Sequence, residues 1–355
     1  MKKILWWLNI IAALSLALSY LATIVPPQVV KWIPLFGLTY PVWVISQFFF
    51  LSYWLFIKKR KKALLSFFIL LLGWNIHGDF FQINGGSEDS GGGLKILTYN
   101  VKLFDYYQWI EGMKTKVKIF NFIKEEAPDV MCFQEFYYEK SGEFKTRDAI
   151  IKFSDTPYFQ EKYTHELSGN RFFGIITFSK YPIIKQGEIP FETDDNNFCI
   201  YSDIVKGKDT IRVYNTHLSS IRFQKEDYDY IENDKDDQDN IKNTKRIASR
   251  LMSAYYKREL QSKKVIESVQ KSPYPVILCG DFNDTPVSYC YHEFSKVLED
   301  SFKEKGQGIS SSYIGDFPSF RIDYVFHSSA FKCVDYDVKD IHYSDHKPIV
   351  VRLEK

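Results

Sequence analysis

The first 78 residues of this chain contain no aspartate or glutamate, although they hold six of its seven tryptophans. Within them, residues 4–30 and 32–57 carry no charged side chain. Each stretch exceeds the roughly 20 residues that cross about 30 Å of hydrocarbon. A third apolar stretch, 63–76, reaches spanning length only if it continues to about residue 80. We therefore expect an all-α transmembrane anchor over residues 1–82, with two to three helices at about 4–25, 34–57 and 63–80.

The positive charges of this segment predict its orientation, because lysine and arginine near span ends are retained on the cytoplasmic side. Lys2 and Lys3 precede the first stretch, a basic cluster occupies 58–62, and only Lys31 lies between the first two stretches. A third span would deliver the rest of the chain to the outer face, whereas two spans would leave it cytoplasmic. We expect a multi-pass protein of the cell (inner) membrane with an extracytoplasmic domain.

A cleaved signal peptide would share the apolar character of the first stretch. The apolar run is longer than a typical signal-peptide core, however, and no Ala-x-Ala-type cleavage site follows it. Residues 83–93 read INGGSEDSGGG, the composition of a flexible linker. A separate domain is therefore expected over 94–355.

The charge balance of that domain limits its function. Residues 91–355 hold 38 Lys and Arg against 41 Asp and Glu, so their formal charge is near −3. A strongly basic nucleic-acid-binding body is therefore disfavoured. The apolar content of 45% and the count of five cysteines exclude disordered and disulfide-scaffold classes.

Several segments of the domain consist of a short apolar or β-branched run that ends in polar residues, a strand pattern. They are 94–100, 128–135, 211–217, 274–284, 320–326 and 342–351, and helical periodicity appears at 115–126 and 244–270. Alternation of strands and helices indicates an α/β domain whose ligand site collects at strand ends. We therefore expect these polar residues to converge: Asn100, Glu135, Asn215, His217, Asp281, Asn283, Asp323, Asp345 and His346.

This set of side chains indicates a particular chemistry. Carboxylate and amide oxygens suit a hard cation such as Mg²⁺, with Mn²⁺ as an alternative. Zinc is disfavoured because the sequence has no CxxC, no HExxH and no histidine pair at ligand spacing. Imidazoles backed by carboxylates supply acid–base groups that titrate near neutrality. The combination predicts metal-assisted hydrolysis of a phosphate ester.

The motifs TYN (98–100), QE (134–135), GDFND (280–284) and SDHKP (344–348), in this order, resemble those of the endonuclease/exonuclease/phosphatase superfamily. That superfamily includes deoxyribonuclease I-like nucleases, abasic-site endonucleases, inositol polyphosphate 5-phosphatases and neutral sphingomyelinases. The resemblance covers about 94–355, and GIITFSKYPI (174–183) is similar to the family's mid-domain strand and turn. It implies an α/β fold, a four-layer, two-sheet sandwich flanked by helices with its site at one edge.

Carried over residue by residue, the resemblance implies that Glu135 is the principal ligand of Mg²⁺, with Asn100 and Asp345 close to the metal. Asparagine at a strand end commonly bonds its own backbone instead, which is the alternative interpretation of Asn100 and of Asn215. Otherwise, Asn215 is expected among the phosphate-binding residues.

The resemblance also implies the catalytic roles. Asp281 would orient or deprotonate the attacking water, and Asn283 would bind the phosphate and stabilise its developing charge. His346 would contact the scissile phosphate, held in orientation by Asp323. His217 would be a second phosphate-contacting or proton-donating imidazole, with a structural role as its alternative.

These expectations describe a membrane-anchored, metal-dependent phosphoesterase in contact with the lipid bilayer. Its substrate could be a nucleic acid, a lipid head group or a small molecule, so nuclease and sphingomyelinase-like activities both stay open. No obligate protein partner is inferred. A catalytically silent, membrane-held scaffold of the same fold is the alternative. The acidic run 225–243 is interpreted as a solvated flap that repels polyanions.

Overall fold

The computed structural model describes residues 2–84, 92–110, 114–167, 169–192, 196–221, 223–224, 226–227, 240–315 and 319–355. The chain divides into two compact units. Unit 1 comprises Met1–Phe80, Ser220–Leu260 and Asp284–Glu293, and unit 2 comprises Phe81–Ser219, Gln261–Asn283 and Phe294–Lys355. Most of the expected linker (85–91) and of the acidic run (228–239) lies outside the described residues, so both interpretations remain predictions.

The strands of unit 2 follow from its runs of β-branched and aromatic residues. In chain order they are β1 (Gln82–Ile83), β2 (Leu94–Asn100), β3 (Val130–Glu139), β4 (Tyr158–Leu167), β5 (Arg171–Ser179), β6 (Ile183–Pro190), β7 (Phe198–Lys206), β8 (Asp209–His217), β9 (Val276–Asp281), β10 (Glu299–Asp300), β11 (Gln307–Gly308), β12 (Asp323–His327), β13 (Lys332–Val338) and β14 (Ile349–Glu354).

These strands build two six-stranded sheets and one short ladder. The first sheet has the order β13-β14-β2-β3-β5-β4, the second has the order β10-β12-β9-β8-β7-β6, and β1 pairs with β11. Each large sheet has one parallel pair at its centre, β2 with β3 and β8 with β9. Parallel neighbours end at the same edge, so the polar residues at the ends of these strands are placed together.

The two sheets pack face to face through a shared apolar core. Ile96 and Cys132 of the first sheet belong to the same buried cluster as Val213, Cys279 and Val325 of the second. The outer face of the first sheet is covered by helices α6 (Thr115–Glu126) and α7 (Thr146–Ser154), through an aromatic-rich cluster. The fold is thus the expected α/β arrangement of sheets flanked by helices.

Unit 1 is mainly helical. Its amino-terminal helices are α1 (Lys2–Leu21), α2 (Ile33–Leu38), α3 (Tyr40–Phe56), α4 (Arg60–Leu72) and α5 (Trp74–Phe80). It also contains the start of α8 (Asn240–Gln270) and most of α9 (Tyr289–Ser295). Among the described residues, α1 alone is long and apolar enough to cross a membrane as a single helix. The pair α4–α5 qualifies only as one span bent by 61°, and α3 is a shorter apolar helix.

The ends of the unit 1 helices differ in character. Near the start of α1, Trp6 contacts Trp54 edge-on, and the Lys62 ammonium lies over both rings. At the other end of α1, a buried cluster joins its residues to the start of α3, the end of α4 and Val287. The backbone N–H of Gln28 also donates to Glu259 Oε2 (2.8 Å). Residues far along the chain therefore pack against the first 80, which the sequence did not predict.

Most predicted elements agree with the observed ones, and the differences have local causes. The predicted strand 94–100 and helix 115–126 coincide with β2 and α6. The strand predicted at 342–351 begins only at Ile349, because Ser344 turns the chain by bonding its neighbours and Pro348 has no N–H to give to a ladder. The strand predicted to end at Glu135 continues to Glu139 through a bulge.

Candidate active site

The carboxylate of Asp281 lies at the centre of the polar residues that end the strands. Asn100 Nδ2 donates to Asp281 Oδ2 (3.0 Å) and to Glu135 Oε1 (3.2 Å). His217 Nε2 and His346 Nε2 lie 3.6 and 3.7 Å from the same Asp281 oxygen. Asn100 and Asp281 are almost completely buried, whereas Glu135 and His217 are partly exposed. The site thus has a buried floor and a rim that solvent can reach.

Unusual backbone conformations position two of these residues. Glu135 has a φ of +48° and lies where the register between β3 and β5 shifts, a bulge that turns a side chain out of the regular alternation. Gly280, directly before Asp281, has a φ of +143°, and a Cβ there would lie 1.9 Å from the carbonyl oxygen of Thr216. Glycine is therefore required for β9 to approach β8 at the site.

His346 and Asp323 form a buried pair. His346 Nδ1 donates to Asp323 Oδ2 (2.8 Å), which leaves Nε2 directed toward Asp281. Burial alone would lower the pKa of His346, but the carboxylates of Asp323 and Asp281 outweigh it and raise that pKa to about 10. Burial, aided by Asp323, raises the pKa of Asp281, against the opposing effect of His346 and His217. The site therefore pairs a protonated imidazole with a carboxylate that is a stronger base than usual.

Asn283 and His217 lie beside this pair. The backbone N–H of Asn283 donates to Asp281 Oδ1 (2.8 Å), and its Nδ2 donates to the carbonyl of Leu218 (3.0 Å). Asn283 has a φ of +53°, a conformation that asparagine tolerates well. His217 Nε2 and Asp323 Oδ1 are buried and make no hydrogen bond with any residue that the structure describes. Buried polar atoms in this state require an explanation, such as a catalytic role or a bound water or ion.

Asp345 is held at the rim by groups that the sequence did not single out. Lys102 Nζ lies 2.8 Å from Asp345 Oδ2, and the Lys102 N–H donates to Asn100 Oδ1 (3.1 Å). Ser344 Oγ donates to the carbonyl of Asn100 (2.8 Å) and fixes the turn before His346. Burial would raise the pKa of Asp345, but His346 and Lys102 lower it. The only sequence signals for these two residues are the position of Lys102 two residues after the TYN motif and that of Ser344 within SDHKP.

The contacts of Asn215 do not place its side chain among the residues around Asp281. Its Oδ1 accepts from Gln134 Nε2 (2.7 Å), and its Nδ2 donates to the carbonyls of Phe133 (3.3 Å) and Ile176 (2.9 Å). All of these partners belong to the opposite sheet, and Asn215 is fully buried. This side chain therefore joins the two sheets and does not bond its own backbone.

The donor set can be tested for its fit to a divalent cation. Glu135 and Asp345 offer carboxylate oxygens at the rim, Asn100 offers an amide oxygen from the buried floor, and hard cations prefer such ligands. Atoms of Asp281, Asp323 and His346 also lie within 4.8 Å of one another. His346 Nδ1 already donates to Asp323, however, so this second set is better suited to proton chemistry. The residues present therefore fit a hard cation next to an acid–base group.

The fold is shared with known proteins. No curated protein matches the chain, and residues 2–80 match a domain of unknown function, DUF8431. An endonuclease/exonuclease/phosphatase from Beutenbergia cavernae superposes with a TM-score of 0.53 at 18% identity, covering 73% of this chain and 71% of its own. The human Nocturnin catalytic domain, solved with bound sulfate, gives 0.53 at 15% identity, covering 74% and 94%.

A third structure, a mannosyl-6-phosphatase from Bacteroides thetaiotaomicron, gives a TM-score of 0.50 at 18% identity, covering 74% of this chain and all of its own. At these identities the likeness concerns the fold alone. The sequence profile of the Endonuclease/Exonuclease/phosphatase family, in contrast, matches residues 74–346, well over half of the chain. With this match, the chain belongs to the endonuclease/exonuclease/phosphatase family.

Proposed function

We propose that this protein is a membrane-anchored, divalent-metal-dependent phosphoesterase that hydrolyses a phosphodiester or phosphomonoester by direct in-line attack of water. The observation that carries the proposal is the arrangement around Asp281. A buried carboxylate with a raised pKa faces the Nε2 atoms of two imidazoles and shares Asn100 with Glu135. Such an arrangement provides both proton acceptors and groups that stabilise an anion.

Glu135, Asn100 and Asp345 would hold the cation, for which Mg²⁺ is the best match and Mn²⁺ the alternative. When bound, the ion would polarise the phosphoryl oxygens and neutralise developing charge. His346 and Lys102 lower the pKa of Asp345, so this carboxylate stays ionised and can act as a ligand.

The remaining side chains would act on water and phosphate. Asp281 orients the attacking water and accepts its proton, a role that its raised pKa favours. Asp323 holds His346 in a charged form whose Nε2–H would donate to the phosphate. His217 and Asn283 at the rim supply further donors to the phosphoryl oxygens or to the leaving group. No covalent intermediate with the enzyme is required.

Several substrate classes fit this chemistry. Nucleic acids, lipid head groups and small phosphate esters all present the same phosphoryl oxygens. The formal charge near −3 of residues 91–355 gives no bulk attraction for a polyanion, which weighs against a purely electrostatic mode of DNA binding.

The test is hydrolysis of bis(p-nitrophenyl) phosphate by the purified full-length chain in detergent, with Mg²⁺ and with EDTA. We expect activity that EDTA abolishes and that Glu135→Gln lowers by about 100-fold or more. Glu267→Gln, an exposed glutamate on α8, is the matched control and should leave activity unchanged. Activity that survives both EDTA and Glu135→Gln would overturn the mechanism. Absence of activity on every phosphoester would support a silent scaffold.

The helices of unit 1 support the membrane part of the proposal. Lys2, Lys3 and the 58–62 cluster gather at one end, where Lys62 covers Trp6 and Trp54. Val287 packs at the other end, with the end of α1 and the start of α3. If the basic end is cytoplasmic, as such charges favour, the segment around Val287 lies on the extracytoplasmic side. A multi-pass anchor in the cell (inner) membrane would have its basic end on the cytoplasmic side and its other end on the outer side in this way.

Reporter fusions test this topology directly. An alkaline phosphatase reporter should be inactive after Lys59 and active after Asn84, and a fluorescent protein should give the opposite pattern. A cytoplasmic signal after Asn84 would contradict an extracytoplasmic domain. Release of the chain from membranes by alkaline carbonate would contradict anchoring altogether.

A further inference from the structure

A second group of metal-ligating side chains lies at the far end of β12 from the candidate active site. Glu299, Glu304 and His327 each offer one ligand atom, and these atoms all lie within 4.8 Å of one another. Strand β12 begins with Asp323 of the active site and ends with His327, four residues later. At the rise of an extended strand this separates the two groups by about 13 Å. The second group is therefore an independent feature of the domain.

The topology of the sheet edge explains how the three side chains meet. Glu299 and His327 are directly opposite in the antiparallel pair β10–β12, so their side chains lie on the same face. The short helix α10 (Ser301–Lys305) follows β10 at once, started by Asp300, whose carboxylate accepts from the N–H of Phe302 (3.0 Å). This turn brings Glu304 Oε1 to 3.2 Å from His327 Nε2.

The two inner residues are fixed through their other polar atoms. His327 Nδ1 donates to the carbonyl of Ser328 (3.1 Å), which directs the lone pair of Nε2 toward Glu304. Glu304 Oε2 accepts from the N–H of Cys333 (2.7 Å), which leaves Oε1 facing His327. Metal-bound histidines and carboxylates are usually oriented by this kind of second hydrogen bond.

His327 also carries a buried atom that calls for a partner. The residue is fully buried, and its Nε2 makes no hydrogen bond with any of the described residues, although Glu304 is at ion-pair distance. Glu299 is exposed and leaves the group open to solvent.

We propose that Glu299, Glu304 and His327 bind one divalent transition-metal ion of the Zn²⁺ type, with water completing its coordination. An imidazole with two carboxylates suits such an ion better than Mg²⁺, which prefers oxygen ligands alone. At a tetrahedral zinc with bonds of about 2.1 Å, ligand atoms lie about 3.4 Å apart. The 3.2 Å between His327 Nε2 and Glu304 Oε1 is close to this value, and the exposed Glu299 can rotate to complete the site.

The expected consequence of the ion is structural. It would join β10 and α10 to the end of β12, and an ion that binds only the folded chain raises its stability by mass action. The site would not take part in the reaction at Asp281, because no ligand is shared.

Zinc binding by the full-length chain in detergent tests this proposal, with millimolar Mg²⁺ present to occupy the active site. Titration against a chromophoric chelator should show one equivalent of Zn²⁺ bound. Glu299→Gln and His327→Gln should each weaken that binding at least about tenfold. Because Glu299 is exposed, its variant should fold normally even if His327→Gln does not. Addition of Zn²⁺ should raise the Tm of the unaltered chain by several degrees.

Two controls separate this site from the catalytic one. His342→Gln removes an exposed histidine elsewhere and should keep the zinc equivalent. Glu135→Gln should lose phosphoesterase activity but still bind one equivalent of Zn²⁺. Failure of the proposed function is therefore distinguishable from failure of the zinc site. If the chain binds no zinc under these conditions, or if Glu299→Gln binds it as tightly as the unaltered chain, the group is a metal-free ion pair and the proposal is wrong.

Discussion

Single side chains at the candidate site owe their chemistry to burial more than to their identity. Asp281 is almost fully buried between two imidazoles and an amide, and its pKa rises although positive charge is nearby. Asp345, one residue from His346, is more exposed and paired with Lys102, and its pKa falls. Two aspartates in one site therefore differ in basicity, as their proposed roles of base and metal ligand require.

Asn215 provides a test of a structural role against a binding role. Asn215→Leu removes its three bonds to the opposite sheet and leaves Gln134 Nε2 without this partner. We expect a loss of about 1–3 kcal/mol in the free energy of unfolding, with KM unchanged in the folded fraction. Urea titration and steady-state kinetics measure the two effects. A higher KM at unchanged stability would restore Asn215 to the phosphate-binding residues.

The pair of His346 and Asp323 predicts a pH dependence. Since the folded-state pKa of His346 is raised to about 10, its contribution to stability is complete below its usual pKa of about 6.5 and is lost as pH rises through about 10. Asp323→Asn should therefore destabilise the chain most below pH 6.5 and progressively less toward pH 10. Urea midpoints across this range measure the difference.

A matched pair at the surface serves as the control for this prediction. His342 Nε2 lies 3.3 Å from Asp340 Oδ1, and both side chains are exposed. Asp340→Asn should leave the urea midpoint unchanged across the same range, because solvent screens such pairs. An Asp323→Asn effect that did not vary with pH would show that packing, not charge, accounts for it.

At the scale of elements, the strands explain which parts of the site could be predicted. Runs such as LKILTYN end where their apolar pattern ends, so the sequence places Asn100 correctly. The bulge at Glu135 and the contact of β9 with β8 depend on pairing between distant segments, which no local pattern reports. The roles of Lys102 and Ser344 could be recognised only from their contacts with Asp345 and Asn100 in the structure. The bonds of Asn215 to the opposite sheet also depend on distant segments, because the sequence offered only phosphate binding or a bond to its own backbone.

The approach of β9 to β8 yields an element-scale prediction. Gly280→Ala would place a Cβ against the carbonyl of Thr216, so the strands must separate and Asp281 must move. A displacement of about 1 Å at a reacting group costs about 100-fold in rate, and we expect a loss of that size in kcat. Gly207→Ala is the control, because Gly207 also has a positive φ but nothing lies within 4 Å of its Cβ position.

The control should lower stability by about 1 kcal/mol without changing kcat, since only the backbone conformation resists the substitution. Equal kcat losses in both variants would show that strain in general, and not the contact with Thr216, disturbs the site.

At the scale of the whole molecule, unit 1 joins segments that the sequence assigned to separate domains. Val287 is buried among side chains of α1, α3 and α4. Val287→Asp would place a charge in this cluster. We expect a marked fall in Tm and a lower yield of folded protein extracted from membranes. Ile184→Asp, at an exposed position of β6, should change neither. An unaltered Tm for Val287→Asp would mean that this cluster contributes little to folding.

The position of β14 has a consequence for the timing of synthesis. This strand, residues 349–354, lies inside the first sheet between β13 and β2, and His346 precedes it by three residues. Strand β2 can therefore pair with β14 only after the ribosome has added about 250 further residues. Non-local pairing of this kind is slow. While the chain is still being synthesised, it holds Glu135 and Asp281 but lacks His346. The proposed hydrolysis would thus begin only after the polypeptide has left the ribosome.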